Sequence, residues 1–65
     1  MTDLRKLRAL VVEDDRLHVQ QYRDAVQAAG YIVDIARTAE HAVTHLRDHG
    51  HQLDLLLVDL HLGEP

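Results

Sequence analysis

Two short apolar runs in this chain end in carboxylates. Leu7-Arg8-Ala9-Leu10-Val11-Val12 leads into Glu13-Asp14-Asp15, and Leu53-Asp54-Leu55-Leu56-Leu57-Val58 leads into Asp59. If the two runs are neighbouring strands, Glu13, Asp14 and Asp59 converge at one end of a sheet. Unpaired like charges at that distance repel and raise pKa values. A hard divalent cation removes the conflict. Mg²⁺ suits a site with few carboxylates and several waters, which leaves room for a phosphate. A carboxylate beside such a cation can act as a nucleophile toward phosphorus and form an acyl phosphate. Acids at strand ends also serve simply as turn residues and helix caps, so the weight rests on the joint pattern rather than on any one acid.

The elements that must position these acids follow from periodicity. The first run is short and Val-containing, as expected of a strand buried on both faces of a parallel sheet. Arg16 to Ala29 contains neither Gly nor Pro and predicts a helix, with Asp15 as N-cap and Gly30 at its end. Its inner stripe reads His18, Tyr22, Ala25 and Ala29, flanked by Val26. Tyr31–Ala36 is rich in β-branched residues and predicts a second strand. Thr38 is placed as the N-cap of a second helix with Ala39, Ala42, Val43 and Leu46 on its apolar stripe and Gly50 as its stop. Leu53–Val58 is the third strand. The resulting βαβαβ order predicts an α/β fold, a parallel sheet with right-handed crossovers, whose ligands bind beyond the carboxyl ends of the strands.

Composition narrows the function classes. Sixty-five residues make at most one small domain. The absence of Cys excludes a disulfide framework and thiolate metal sites. A net charge of −4 argues against a nucleic-acid-binding face. No apolar run is long enough for a membrane span, and Met1–Lys6 has no apolar segment behind its charges, so a signal peptide is not expected. A cytoplasmic location is the expectation.

Four segments in register carry a resemblance. Leu10-Val11-Val12-Glu13-Asp14-Asp15, Gly30-Tyr31-Ile32-Val33, Ala36-Arg37-Thr38-Ala39-Glu40-His41-Ala42-Val43 and Leu53-Asp54-Leu55-Leu56-Leu57-Val58-Asp59-Leu60 resemble, in order and spacing, the receiver domain of bacterial two-component response regulators. The resemblance implies a flavodoxin-like, doubly wound parallel sheet with strand order 2-1-3-4-5, of which residues 1–65 would be the βαβαβ first half. It implies that Asp59 accepts a phosphoryl group from a histidine kinase or phosphotransfer protein, with Mg²⁺ required. It further implies Asp14 as a direct Mg²⁺ ligand, Glu13 as a ligand mainly through water, and the backbone carbonyl of His61 as the last protein ligand. Such a chain is a phospho-acceptor that assists its own phosphotransfer, not a turnover enzyme. Gly63 stands where the family usually has Pro. The Ser or Thr and the Lys that the family uses to bind phosphoryl oxygens would lie beyond residue 65, as would its usual output surfaces.

Two other function classes fit parts of the pattern. A degenerate receiver acting only as a docking or dimerisation module would not need Glu13, Asp14 and Asp59 intact. A metal-dependent phosphatase with an Asp nucleophile would carry a second Asp where His61 stands. His41, His45 and His49, spaced i, i+4, i+8, could clamp a transition metal, but they lie off the apolar stripe and are expected on a solvated face. His18 is expected to be a partly buried packing residue. Asp54 is expected to shape the start of the third strand, and Asp34 to sit near the exposed edge of the second. In the order 2-1-3 the third strand is an apolar edge, and self-association through it is expected.

Overall fold

The structure, a computed structural model, describes residues 6–59. Its elements are β1 (Leu7–Glu13), α1 (Arg16–Ala28), β2 (Tyr31–Ala36), α2 (Ala39–His49), a 3-10 turn (Gly50–Gln52) and β3 (Leu55–Asp59). The three strands form one parallel sheet in the order β2-β1-β3. This is an α/β βαβαβ arrangement, consistent with half of a flavodoxin-like fold. Among the described residues no helix is long and apolar enough to cross a membrane.

Both helix starts form as the capping chemistry requires. Asp15 Oδ1 accepts from the amides of Leu17 and His18, and Thr38 Oγ1 accepts from the amide of His41. Gly30 adopts φ of 100°, a conformation that costs a residue without Cβ little and reverses the chain from α1 into β2. Gly50 behaves differently from the expected stop. It keeps right-handed helical angles, and the chain tightens there into the 3-10 turn. That turn delays β3 to Leu55, two residues after the expected start. Asp54 sets the strand's register: its amide donates to the Arg8 carbonyl at 2.8 Å, and its Oδ2 accepts from the Arg8 amide at 2.8 Å.

β1 is central, and Ala9, Leu10, Val11 and Val12 are at most 1% exposed. Alternation along a strand assigns these residues to two layers. Leu10 and Val12 pack with Ala36 of β2 and Ala42 of α2, with Leu53 against them. Ala9, Val11 and Glu13 point to the other face, where α1 lies across β1 and β2. The helices therefore cover opposite faces, as right-handed crossovers in opposite directions require.

Two expected stripes are corrected. In α1 the residues turned inward are Val19, Tyr22 and Val26, with His18 half-buried, while Ala25 and Ala29 are exposed. A larger side chain displaces the alanines from the interface because it removes more apolar surface from water. In α2 only Ala42 of the expected stripe is buried. Val43 and Leu46 are 55% and 37% exposed, and the half-buried side chain that joins Ala42 is His45.

Candidate functional site: a carboxylate cluster at the strand ends

The parallel register pairs Glu13 with Asp59 at the carboxyl ends of β1 and β3. Residues paired in this way project from the same face, and for Glu13 and Asp59 that face is the one covered by α1. Glu13 is 0% exposed. Its Oε1 accepts from the Asp15 amide at 3.0 Å, which ties the carboxylate to the turn that starts α1. Its Oε2 is buried with no hydrogen-bond partner among the described residues. A buried, unsatisfied carboxylate oxygen is costly in a protein interior and is the kind of atom for which a water or an ion is sought.

The tight turn at Asp15 brings the first turns of α1 directly over this end of the sheet. His18 Nδ1 lies 3.7 Å from Glu13 Oε2. One helical turn later the Tyr22 hydroxyl donates to Asp59 Oδ2 at 2.5 Å. The two rings are neighbours, with centroids 6.2 Å apart, as i, i+4 spacing dictates. The hydrogen bond to Asp59 raises the Tyr22 pKa above its ordinary 10.0, assisted by desolvation and by the negative charges of Asp59 and Glu13. The phenol therefore stays a donor through neutral pH. The stability it contributes is fully present below pH 10.0 and is lost as pH rises through the raised value.

Glu13, His18 and Asp59 each offer a ligand atom within 4.8 Å of the other two, and among the described residues this is the one grouping of its kind. Of the residues expected from sequence to bind metal, Glu13 and Asp59 come together. Asp14 is exposed at the first position after β1 and stands outside the grouping; its backbone carbonyl accepts from Arg37 Nη2 at 3.2 Å. His61 lies outside the described residues. His18 and Tyr22 are the functional-site residues that sequence reasoning passed over. Their signal was available, since both sit on the inner stripe of a helix that starts two residues after the strand-end acids.

A second polar grouping lies nearer the amino ends of the strands. His45 Nε2 is 3.2 Å from Asp34 Oδ2, and its side chain is only 14% exposed. The expectation of a solvated His45 is corrected here, whereas Asp34 lies on the edge strand β2 as expected, its side chain 46% exposed. Asp34 shares the α2-facing side of β2 with Ala36, so the helix that covers Ala36 also sets His45 upon Asp34. His41 and His49 remain exposed. His45, His49, Asp34, Arg8, Gln52 and Leu53 line a cavity of about 350 Å³.

Fold and site together define a small parallel α/β protein with a carboxylate–imidazole cluster at its strand ends. Comparison with known proteins returned no matching family model, curated protein or solved structure.

Proposed function

We propose that the chain is a phospho-acceptor of the receiver type, in which Asp59 takes a phosphoryl group from the phosphohistidine of a histidine kinase or phosphotransfer protein. The observation that carries the reading is the Glu13–Asp59 register at the carboxyl ends of adjacent parallel strands. Two carboxylates held side by side, one of them buried with an unsatisfied oxygen, fit a divalent cation better than any arrangement of the bare acids. The four-segment resemblance to receiver domains adds Asp14 and the His61 carbonyl to the Mg²⁺ ligands. Mg²⁺, when bound, would offset the charge of the carboxylates and of the incoming phosphoryl oxygens. In the step itself an Asp59 oxygen forms a bond to phosphorus as the P–N bond to the donor imidazole breaks, and the electron pair leaves with the ring nitrogen. This reading assigns the protein to the cytoplasm and to signal transduction.

The test is incubation of the 65-residue chain with acetyl phosphate and Mg²⁺. A hydroxylamine-labile adduct on Asp59 is expected, together with movement of the Asp14 and Asp59 amide resonances on Mg²⁺ titration and much weaker binding in Asp14→Asn. Unmoved amides and no adduct would overturn the reading.

A specific observation favours a second reading, a docking or dimerisation module without phosphotransfer. β3 is an edge strand among the described residues, and its Leu56 and Val58 are 45% and 57% exposed. An apolar edge of this kind presents unpaired backbone groups that another strand can satisfy. We expect β3 to pair antiparallel with its copy about a two-fold axis. Sedimentation at low micromolar concentration should show a dimer or larger assembly, equally in Asp59→Asn. A compact, folded monomer would refute it.

A further inference from the structure

The ligand set assembled at the strand ends is not the all-oxygen set that Mg²⁺ prefers. Mg²⁺ takes oxygen ligands in near-ideal octahedral geometry and gives up water reluctantly. Imidazole instead suits borderline ions such as Zn²⁺. Here the imidazole Nδ1 of His18 lies 3.7 Å from the buried Glu13 oxygen, and the only mutually close triad of such ligands among the described residues is Glu13, His18 and Asp59. Asp14, which would make the set all-oxygen, stands outside it. Two donors on a tetrahedral Zn²⁺ with bonds of about 2.1 Å lie about 3.4 Å apart. Glu13 Oε2 and His18 Nδ1 need to approach by only a few tenths of an ångström to reach that separation.

We infer that Glu13, His18 and Asp59 form a site for a borderline divalent transition ion, with His18 Nδ1 as the ligand that selects it over Mg²⁺. The inference rests on the proposed function only in treating this cluster as a cation site, and it does not need phosphotransfer. The fixed parts are Glu13, held by the Asp15 amide, and His18, held on the first turn of the capped α1. Asp59 would exchange its Tyr22 hydrogen bond for the ion, so ion binding frees the phenol.

The probe is Zn²⁺ alone, with Mg²⁺ as comparison, followed through the individually assigned imidazole ¹⁵N resonances of the 65-residue chain. That readout separates His18 from His45 and His49, which could also capture Zn²⁺. The His18 Nδ1 signal is expected to shift at the first equivalent of Zn²⁺ and to stay in place with Mg²⁺. His18→Gln should weaken Zn²⁺ binding by at least the roughly 10–100-fold that loss of even an outer partner costs a metal site, with Mg²⁺ affinity unchanged. Zn²⁺ that moves only the His45 or His49 rings would overturn the inference, as would a His18→Gln variant that binds Zn²⁺ as tightly as the parent. If the His18 ring shifts while acetyl phosphate leaves Asp59 unmodified, the metal site stands and the phospho-acceptor reading falls. If Asp59 forms the adduct while the His18 ring stays in place, the phospho-acceptor reading stands and the metal site falls.

Discussion

Leu10→Ala is expected to destabilise the chain severely. Leu10 is completely buried at the centre of the middle strand, packed with Val12, Ala36 and Ala42 beneath α2. Truncating a buried leucine to alanine costs about 2–5 kcal/mol, through lost transfer free energy and the cavity left behind. A chain of this length has a total stability of roughly 3–10 kcal/mol at the usual 0.05–0.15 kcal/mol per residue, so the substitution removes about half of it at mid-range and all of it at the low end. The neighbours cannot collapse into the space, because the backbone on both sides of Leu10 is held by parallel pairing to β2 and β3. Far-ultraviolet circular dichroism and urea titration check this. A Leu10→Ala variant that melts within 1 kcal/mol of the parent would show that the core lies elsewhere. Val43→Ala, at a side chain more than half exposed, serves as the control and should change little.

The second large effect concerns the reactivity of Asp59. Oδ2, one of the two oxygens of the proposed nucleophile Asp59, accepts from the Tyr22 hydroxyl at 2.5 Å. A short hydrogen bond to an ionised acceptor is among the stronger ones, and here it stabilises the carboxylate before reaction without any matching gain as its charge is transferred to a new O–P bond. Interactions that hold the ground state more tightly than the transition state slow a reaction. Tyr22→Phe is therefore expected to speed adduct formation from acetyl phosphate several-fold, whereas Asp59→Asn abolishes it by removing the nucleophile. The same Tyr22→Phe change should tighten divalent-ion binding, since the ion and the phenol compete for one carboxylate. The rate of adduct formation, read by intact mass, checks the first effect, and calorimetric titration checks the second. A slower Tyr22→Phe variant would mean that the phenol orients Asp59 for attack rather than restraining it.

The path from residues to fold was short where local chemistry and apolar length act together. Asp15 and Thr38 are caps because their side chains reach amides two or three residues ahead, a relation contained within a single turn of chain. The strands were legible because runs such as Leu10-Val11-Val12 are apolar on both faces, which only a central parallel strand rewards. Alternation of strand and helix then implies parallel pairing, but crossovers of one hand allow more than one strand order, and β2-β1-β3 is the one the fold adopts. Strand boundaries were less legible. The 3-10 turn at Gly50–Gln52 depends on how α2 meets the sheet, and nothing in Gly50 itself demands a stop or a continuation.

What the sequence by itself determined was that Glu13 and Asp59 close apolar strands of one parallel sheet, and that they converge if those strands are neighbours. Parallel strands bring their carboxyl ends to one edge of the sheet, and the order β2-β1-β3 makes these two strands neighbours. Only the tertiary structure decided which other side chains meet them. A helix stripe is a set of angles about an axis, and the rotation that faces Val19, Tyr22 and Val26 inward while exposing Ala25 and Ala29 is set by how α1 seats on β1 and β2. That rotation puts His18 beside Glu13 and Tyr22 on Asp59. The same holds for His45, which looked solvated from its offset to Ala39, Val43 and Leu46 but is turned onto Asp34 by the packing of Ala42 over Leu10 and Val12. Periodicity ranks the faces of a helix by hydrophobicity. When those faces differ by little more than an alanine, the contacts of the folded sheet choose between them.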